Sequence, residues 1–305
     1  MEDEKIRQPA VAGQFYTADP KRLKAEIDAY LAEAAATASD TWNGSGPARG
    51  VVSPHAGYTF SGPTAAKTFH AAVGEGRGKS IERVVLLAPS HRVPFAGLAA
   101  SSHSAFRTPL GDIQVDGNAL AKLLDACGSA CSVFDDAHSL EHSLEVQLPF
   151  IQTVLPGVPI VPLVCGGLSD EIEAEAVEGL LDLWGPGNLW VASSDFTHYG
   201  ASFGYVPFSE PNLSEKLEKL DMGAVEKILK LDRDAFHEYL EDTGATICGA
   251  APIKLLLATM EASKENINAE MVELTNSGEI SGDYSHCVGY AGIAFFPTAD
   301  TGGET

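Results

Sequence analysis

The sequence predicts an α/β fold: a single domain with a mostly parallel central sheet flanked by helices. Three observations carry this. Short apolar runs recur at wide spacing along the 305 residues. The runs are continuous in Val, Ile and Leu rather than alternating, as in strands covered on both faces. Helical patterns separate several of them, as parallel crossovers require.

In chain order, Asp19-Pro20 caps a first helix, with Pro at a position whose missing N–H costs nothing. Leu23, Ile27, Tyr30, Leu31 and Ala34 then recur at helical spacing. Residues 35–47 are small and polar and read as a surface loop, because the chain before them is too short to hold its own core. The strand runs are Gly50-Val51-Val52, Val84-Val85-Leu86-Leu87, residues 159–164, Leu189-Trp190-Val191-Ala192 and residues 288–296. Helical patterns fit residues 63–72, 116–126, 143–154 and 170–183. Residues 105–115, with Pro109-Leu110-Gly111-Asp112, read as a hairpin appended to the sheet. The later third reads as more helical. Leu213, Leu217, Leu220, Ala224, Ile228 and Leu231 form one stripe, Asp232 caps a helix holding Phe236 and Tyr239, and Pro252 begins another that ends near Met260. Residues 298–305 read as a flexible tail of the same domain.

Composition narrows the partners. The chain carries 42 acidic against 20 basic residues, a formal net charge of -22. Such a surface repels phosphate backbones and anionic lipid, and no basic patch offsets it, so neither nucleic acid nor membrane is expected as a partner. The N-terminal MEDEKIRQPA is acidic and polar, unlike a signal peptide, and no apolar run reaches the ~18–20 residues of a membrane span. Five scattered cysteines do not form a secreted disulfide pattern, so reduced thiols and a cytoplasmic location are expected.

Ligands of open α/β sheets bind beyond the carboxyl ends of the strands. Three such ends carry chemistry: Ser53-Pro54-His55-Ala56-Gly57-Tyr58, Ala88-Pro89-Ser90-His91, and Ser193-Ser194-Asp195-Phe196-Thr197-His198. A lone His after a strand is usually structural, but three converging ends point to a site. Glu141-His142-Ser143-Leu144-Glu145 adds a carboxylate or imidazole that can reach the same pocket, with Ser143 able to cap a helix and Glu145 in its first turn; a charged helix start is the competing reading. Cys248 precedes a helix, whose N-terminus favours the thiolate that binds metals. Cys127, Cys131 and Cys165 read as small buried apolar residues, and His70, His103 and His237 carry no motif.

His55, His91 and Cys248 therefore make a candidate metal site. Two imidazoles plus one anion leave open positions, and a thiolate shifts the preference toward copper or zinc without excluding iron. Asp195 is placed to orient a ligating His, and His198 and His142 to act as acid or base. No phosphate-binding loop and no G-x-S-x-G elbow is present.

These segments resemble the Memo family, also called AmmeMemoRadiSam system protein B. The match runs from Arg7-Gln8-Pro9-Ala10-Val11-Ala12-Gly13-Gln14-Phe15-Tyr16 through Pro54-His55-Ala56-Gly57-Tyr58, Pro89-Ser90-His91-Arg92-Val93-Pro94, Glu141-His142-Ser143-Leu144-Glu145 and Ser193-Ser194-Asp195-Phe196-Thr197-His198 to Thr246-Ile247-Cys248-Gly249. The resemblance implies a fold like that of class III extradiol dioxygenases of the LigB type. It implies a pocket in which the two His and the Cys are His55, His91 and Cys248, lined by Asp195 and His198. The dioxygenases use a Glu where Cys248 stands, which argues against ring cleavage. The family name implies radical-SAM and AMMECR-type partners.

Three functions compete on these residues. The first is an iron- or copper-dependent redox enzyme of dioxygenase type. The second is a non-catalytic binding or adaptor protein whose inherited pocket takes a peptide, a small molecule or a partner subunit. The third, a zinc hydrolase with Asp195 or Glu141 as base, is the weakest.

Overall fold

The computed structural model describes residues 5–38, 46–74, 76–209 and 211–298. The predicted tail after Thr298 and residues 39–45 of the 35–47 loop lie outside these residues; within them the first helix runs Pro20–Thr37 and takes the start of that loop. Asp19 caps it as expected, accepting the N–H groups of Lys21 and Arg22 at 2.9 Å.

Among the described residues nine strands form one sheet. Their order is His198–Tyr199, Cys287–Pro297, Gly50–Ser53, Asn188–Ser193, Arg83–Pro89, Ile160–Cys165, Leu98–Ala100 and Cys131–Val133, with Ile267–Asn276 paired along Cys287–Pro297. The four central strands, from Gly50–Ser53 to Ile160–Cys165, are mutually parallel. The flanks are not: Cys287–Pro297 is antiparallel to Gly50–Ser53, and Leu98–Ala100 to Ile160–Cys165. The sheet is therefore mixed, which corrects the expectation of a mostly parallel one. At the Leu98–Ala100 flank the physical reason is connection length, because loop 90–97 is too short for the crossover that a strand parallel to Arg83–Pro89 would need, and the chain simply reverses.

Alternate residues of the central strands feed two cores. Val51, Leu86 and Val191 face Leu23, Ile27, Phe69 and Phe150 on one side. Val52, Val85 and Trp190 face Leu123, Leu180, Ile228 and Leu256 on the other. Each such side chain contributes about 1.5–3 kcal/mol through burial. This double coverage explains the continuous apolar runs, and it fixes the strand ends from which the site is built.

Other features also differ from the sequence reading. The hairpin of Ala105–Thr108 and Gly111–Gln114 joins Ile6–Arg7 in a separate three-stranded sheet rather than extending the large one. The pattern at 143–154 is two short helices, His142–Glu145 and Leu148–Val154, the second opening on Leu148-Pro149. The cap of the first is not Ser143, whose hydroxyl donates to Pro89 O at 2.8 Å, but Glu141, whose carboxylate accepts from His142 and Ser143 N–H. The long strand Ile267–Asn276 was not anticipated. Polar residues such as Asn268, Glu270 and Glu273 interrupt it, and it pairs along one side only. Among the described residues no helix is long and apolar enough to cross a membrane.

Candidate metal centre

His55, His91 and Asp195 each stand two residues beyond a central strand, after Ser53, Pro89 and Ser193. Parallel register sets Ser53 against Ser193, so the two chains leave the sheet side by side. There Asp195 Oδ1 accepts the His55 backbone N–H at 2.7 Å. Cys248 arrives from the loop before the helix Ala250–Ser263. Its sulfur accepts the Asp195 N–H at 3.3 Å and lies 3.2 Å from His55 Nε2.

Ligand atoms of His55, His91 and Cys248 all fall within 4.8 Å of one another. The hydrogen bonds around them settle which nitrogens are available. Ser193 Oγ donates to Ser143 O at 2.6 Å, so its lone pairs must receive Gln147 Nε2 at 2.9 Å and His55 Nδ1 at 2.8 Å. The proton of His55 thus sits on Nδ1, and Nε2 presents a lone pair beside the sulfur. His91 Nδ1 faces Glu141 Oε1 at 2.9 Å, and the His91 N–H donates to Oε2 at 2.6 Å. A carboxylate can only accept, so His91 also carries its proton on Nδ1 and frees Nε2. His198 follows the same pattern, with Nδ1 3.1 Å from Thr246 O.

His91, Glu141 and His142 form a second group with ligand atoms within 4.8 Å. Glu141 is already engaged by N–H donors of His91, His142 and Ser143. Its geometry is that of a carboxylate orienting His91.

Burial shapes the charges. His55 is held well below the ordinary imidazole range, first by burial and then by His91, His142 and His198. His142 is lowered to about 4 by burial and by His91. Burial raises Glu141, but the hydrogen bonds and charge of His91 and the Ser143 N–H outweigh it and bring the group to about 2. Asp195 is raised by burial, against the pull of His198. Cys248 is raised well above the thiol range by burial and by Asp195. The expectation that a helix N-terminus leaves it a thiolate is therefore corrected, since loss of hydration outweighs the nearby N–H groups.

His142 stacks on His91 with centroids 4.7 Å apart and stands edge-on to His55 at 5.5 Å. Phe15 covers it at 4.7 Å. Phe15 is held there by a knot that sequence reasoning missed. Glu145, fully buried, pairs with Arg7, accepts the N–H groups of Ala10 and Val11 at 2.7 and 3.0 Å, and takes the Tyr16 hydroxyl at 2.6 Å. Arg7 also donates to Glu141 O at 2.7 Å. Ser193 and Gln147 were likewise missed. Ser193 stands at the start of a strand end whose Asp195 and His198 carry the stronger signal, and Gln147 falls inside a helical pattern, where a polar residue gives no separate signal.

Residues 7–294 match the Memo-like protein family. The chain belongs to the Memo family. A MEMO1 family protein of Methanopyrus kandleri is 36% identical over 299 residues, covering 95% of this chain and 98% of that protein. A MEMO1 family protein of Thermococcus kodakarensis is 32% identical, covering 95% and 99%. The Protein memo-1 homolog of Caenorhabditis elegans is 33% identical, covering 96% of this chain and 83% of its own length. The Memo-family match spans every segment that builds the centre, from Arg7 to Cys248.

Proposed function

We propose that His55, His91 and Cys248 bind one redox-active metal ion, iron or copper, and that this Memo-family chain is a metal-dependent oxidoreductase related in fold to the extradiol dioxygenases. The carrying observation is the paired tautomers: both imidazoles are tied at Nδ1, so both Nε2 lone pairs are free near one sulfur. Two neutral nitrogens and a thiolate suit copper or iron, and three ligands leave positions for a substrate. A bound ion supplies one-electron chemistry and a place for oxygen to react. The residues around it handle protons. His198, anchored through Nδ1, leaves Nε2 to take a proton from a bound molecule. Asp195, raised by burial, is suited to hold one, and His142 stacks beside His91 at the same mouth.

Metal loading tests the reading. Anaerobic protein is offered Fe(II), Cu(I) or Zn(II), and wild type is compared with Cys248→Ser by elemental analysis. Stoichiometric iron or copper that the variant loses supports the redox site. No stoichiometric metal in the wild type ends the proposal and favours a binding role for the pocket. Glu141→Gln is expected to weaken metal binding by about 10–100-fold, because the amide cannot hold the Nδ1 proton of His91 as a carboxylate does. A titration giving wild-type affinity would show that Glu141 does not orient that ring.

A further inference from the structure

Loop 194–198 is held by five successive backbone N–H groups, bonded to four different segments. Ser194 donates to Ser53 O at 2.9 Å and Phe196 to Gly289 O at 2.8 Å. Asp195 donates to Cys248 Sγ and His198 to Thr246 Oγ1. The remaining N–H, of Thr197, goes to Asp221 Oδ1 at 3.1 Å.

Asp221 differs from the other acceptors. It is a carboxyl group in the middle of the helix Leu213–Leu229, 3% exposed. Among the described residues no Lys, Arg or His pairs with it. The titratable groups that face it are Tyr205, Tyr239 and Cys287, all raised in pKa in part by its charge. Each of them donates elsewhere: Tyr205 to Thr243 O, Tyr239 to Leu220 O and Cys287 to Asn276 Oδ1. The carboxyl also reaches the point where the loop crosses the last strand. A Cβ on Gly289 would lie 1.9 Å from Asp221 Oδ2, so only glycine admits this approach. Gly289 itself donates to Thr197 O at 3.0 Å.

We propose that Asp221 is a pH-sensitive latch on loop 194–198, a positioning residue that seats Thr197 and thereby sets Asp195 and His198 against His55 and Cys248. A buried carboxyl without a cation is neutral at low pH and pays a desolvation cost when it ionises. Burial accordingly raises it to about 6, against the pull of Thr197. The sign follows from linkage. An acid whose pKa is higher in the closed state favours closure while it is protonated, and that advantage is lost as pH rises through about 6. The latch thus loosens toward neutral pH, where the loop's acid–base groups gain freedom to move.

The latch concerns the loop invoked in the redox reading, but its test uses metal-free full-length protein, so the two stand or fall separately. Hydrogen exchange is measured at residues 196–198 from pH 5 to 8, corrected for intrinsic rates, with Leu86 and Leu163 as core controls. The expected result is protection at 196–198 that falls by about tenfold from pH 5 to pH 8, the part above pH 5 of the change set by a shift from 3.8 to about 6. In Asp221→Asn that dependence should vanish. A flat wild-type profile, or the same slope in a folded Asp221→Asn, overturns the proposal. So does an equal slope at Leu86 and Leu163, which would mean whole-molecule opening. If Asp221→Asn does not fold, the wild-type profile decides by whether its slope is confined to 196–198.

Discussion

Replacing Glu145 with Gln is expected to destabilise the protein by about 3–5 kcal/mol, the cost of leaving a buried charge without its partner. In a thermal melt this appears as a fall in Tm of roughly 5–10 °C. Four donors converge on the carboxylate: Arg7 and the Ala10 N–H at Oε2, the Val11 N–H and the Tyr16 hydroxyl at Oε1. An amide offers one oxygen and one NH2, so at least one pair of donors would face another donor. Arg7, 3% exposed, has no solvent to fall back on, although Glu141 O and His138 O remain as acceptors. The damage should reach the site, because Phe15 covers His142 and its carbonyl accepts the Tyr58 N–H at 2.8 Å. A variant melting within 2 °C of wild type would show that the Arg7–Glu145 knot is dispensable.

The legible parts of this molecule are those that follow from burial. Double coverage makes Val51-Val52, Val84 to Leu87 and Leu189 to Ala192 uniformly apolar, so the strands can be read, and with them the positions of His55, His91 and Asp195 just beyond. Strand direction was not legible, because it depends on which loops are long enough to cross over. Glu141 was undecidable between helix start and site. A carboxylate that caps a helix and one that orients an imidazole are the same residue in the same place, and here Glu141 does both. Ser193 ends an apolar strand and shows nothing of its role until Gln147 and Ser143 are seen around it. Asp221 did leave a trace. It falls four residues after Leu217 and three before Ala224, on the face that the helix buries, where an acid is out of place.

Metal uptake should strengthen by about tenfold per pH unit between pH 7 and 9, because binding displaces one proton from Cys248. Burial and Asp195 keep this thiol protonated well above the usual range. Its nearest acceptor is His55 Nε2 at 3.2 Å, the lone pair a metal would need, so the metal must take both the proton's place on sulfur and the site that proton faces. His55 adds nothing to the slope. Burial keeps it neutral far below pH 7, with its one proton fixed on Nδ1 by Ser193. The sign is therefore that of a single acid: affinity rises with pH for as long as the free thiol remains protonated. Competition against a chelator of known affinity at fixed ionic strength measures it. Cys248→Ser should bind weakly and lose the slope, since a serine hydroxyl does not ionise in this range. If wild type also shows no slope while Cys248→Ser loses the metal, the sulfur is a ligand that stays ionised without metal, and helix and backbone N–H groups outweigh burial after all. If Cys248→Ser keeps both metal and slope, the proton comes from elsewhere and the sulfur is not a ligand.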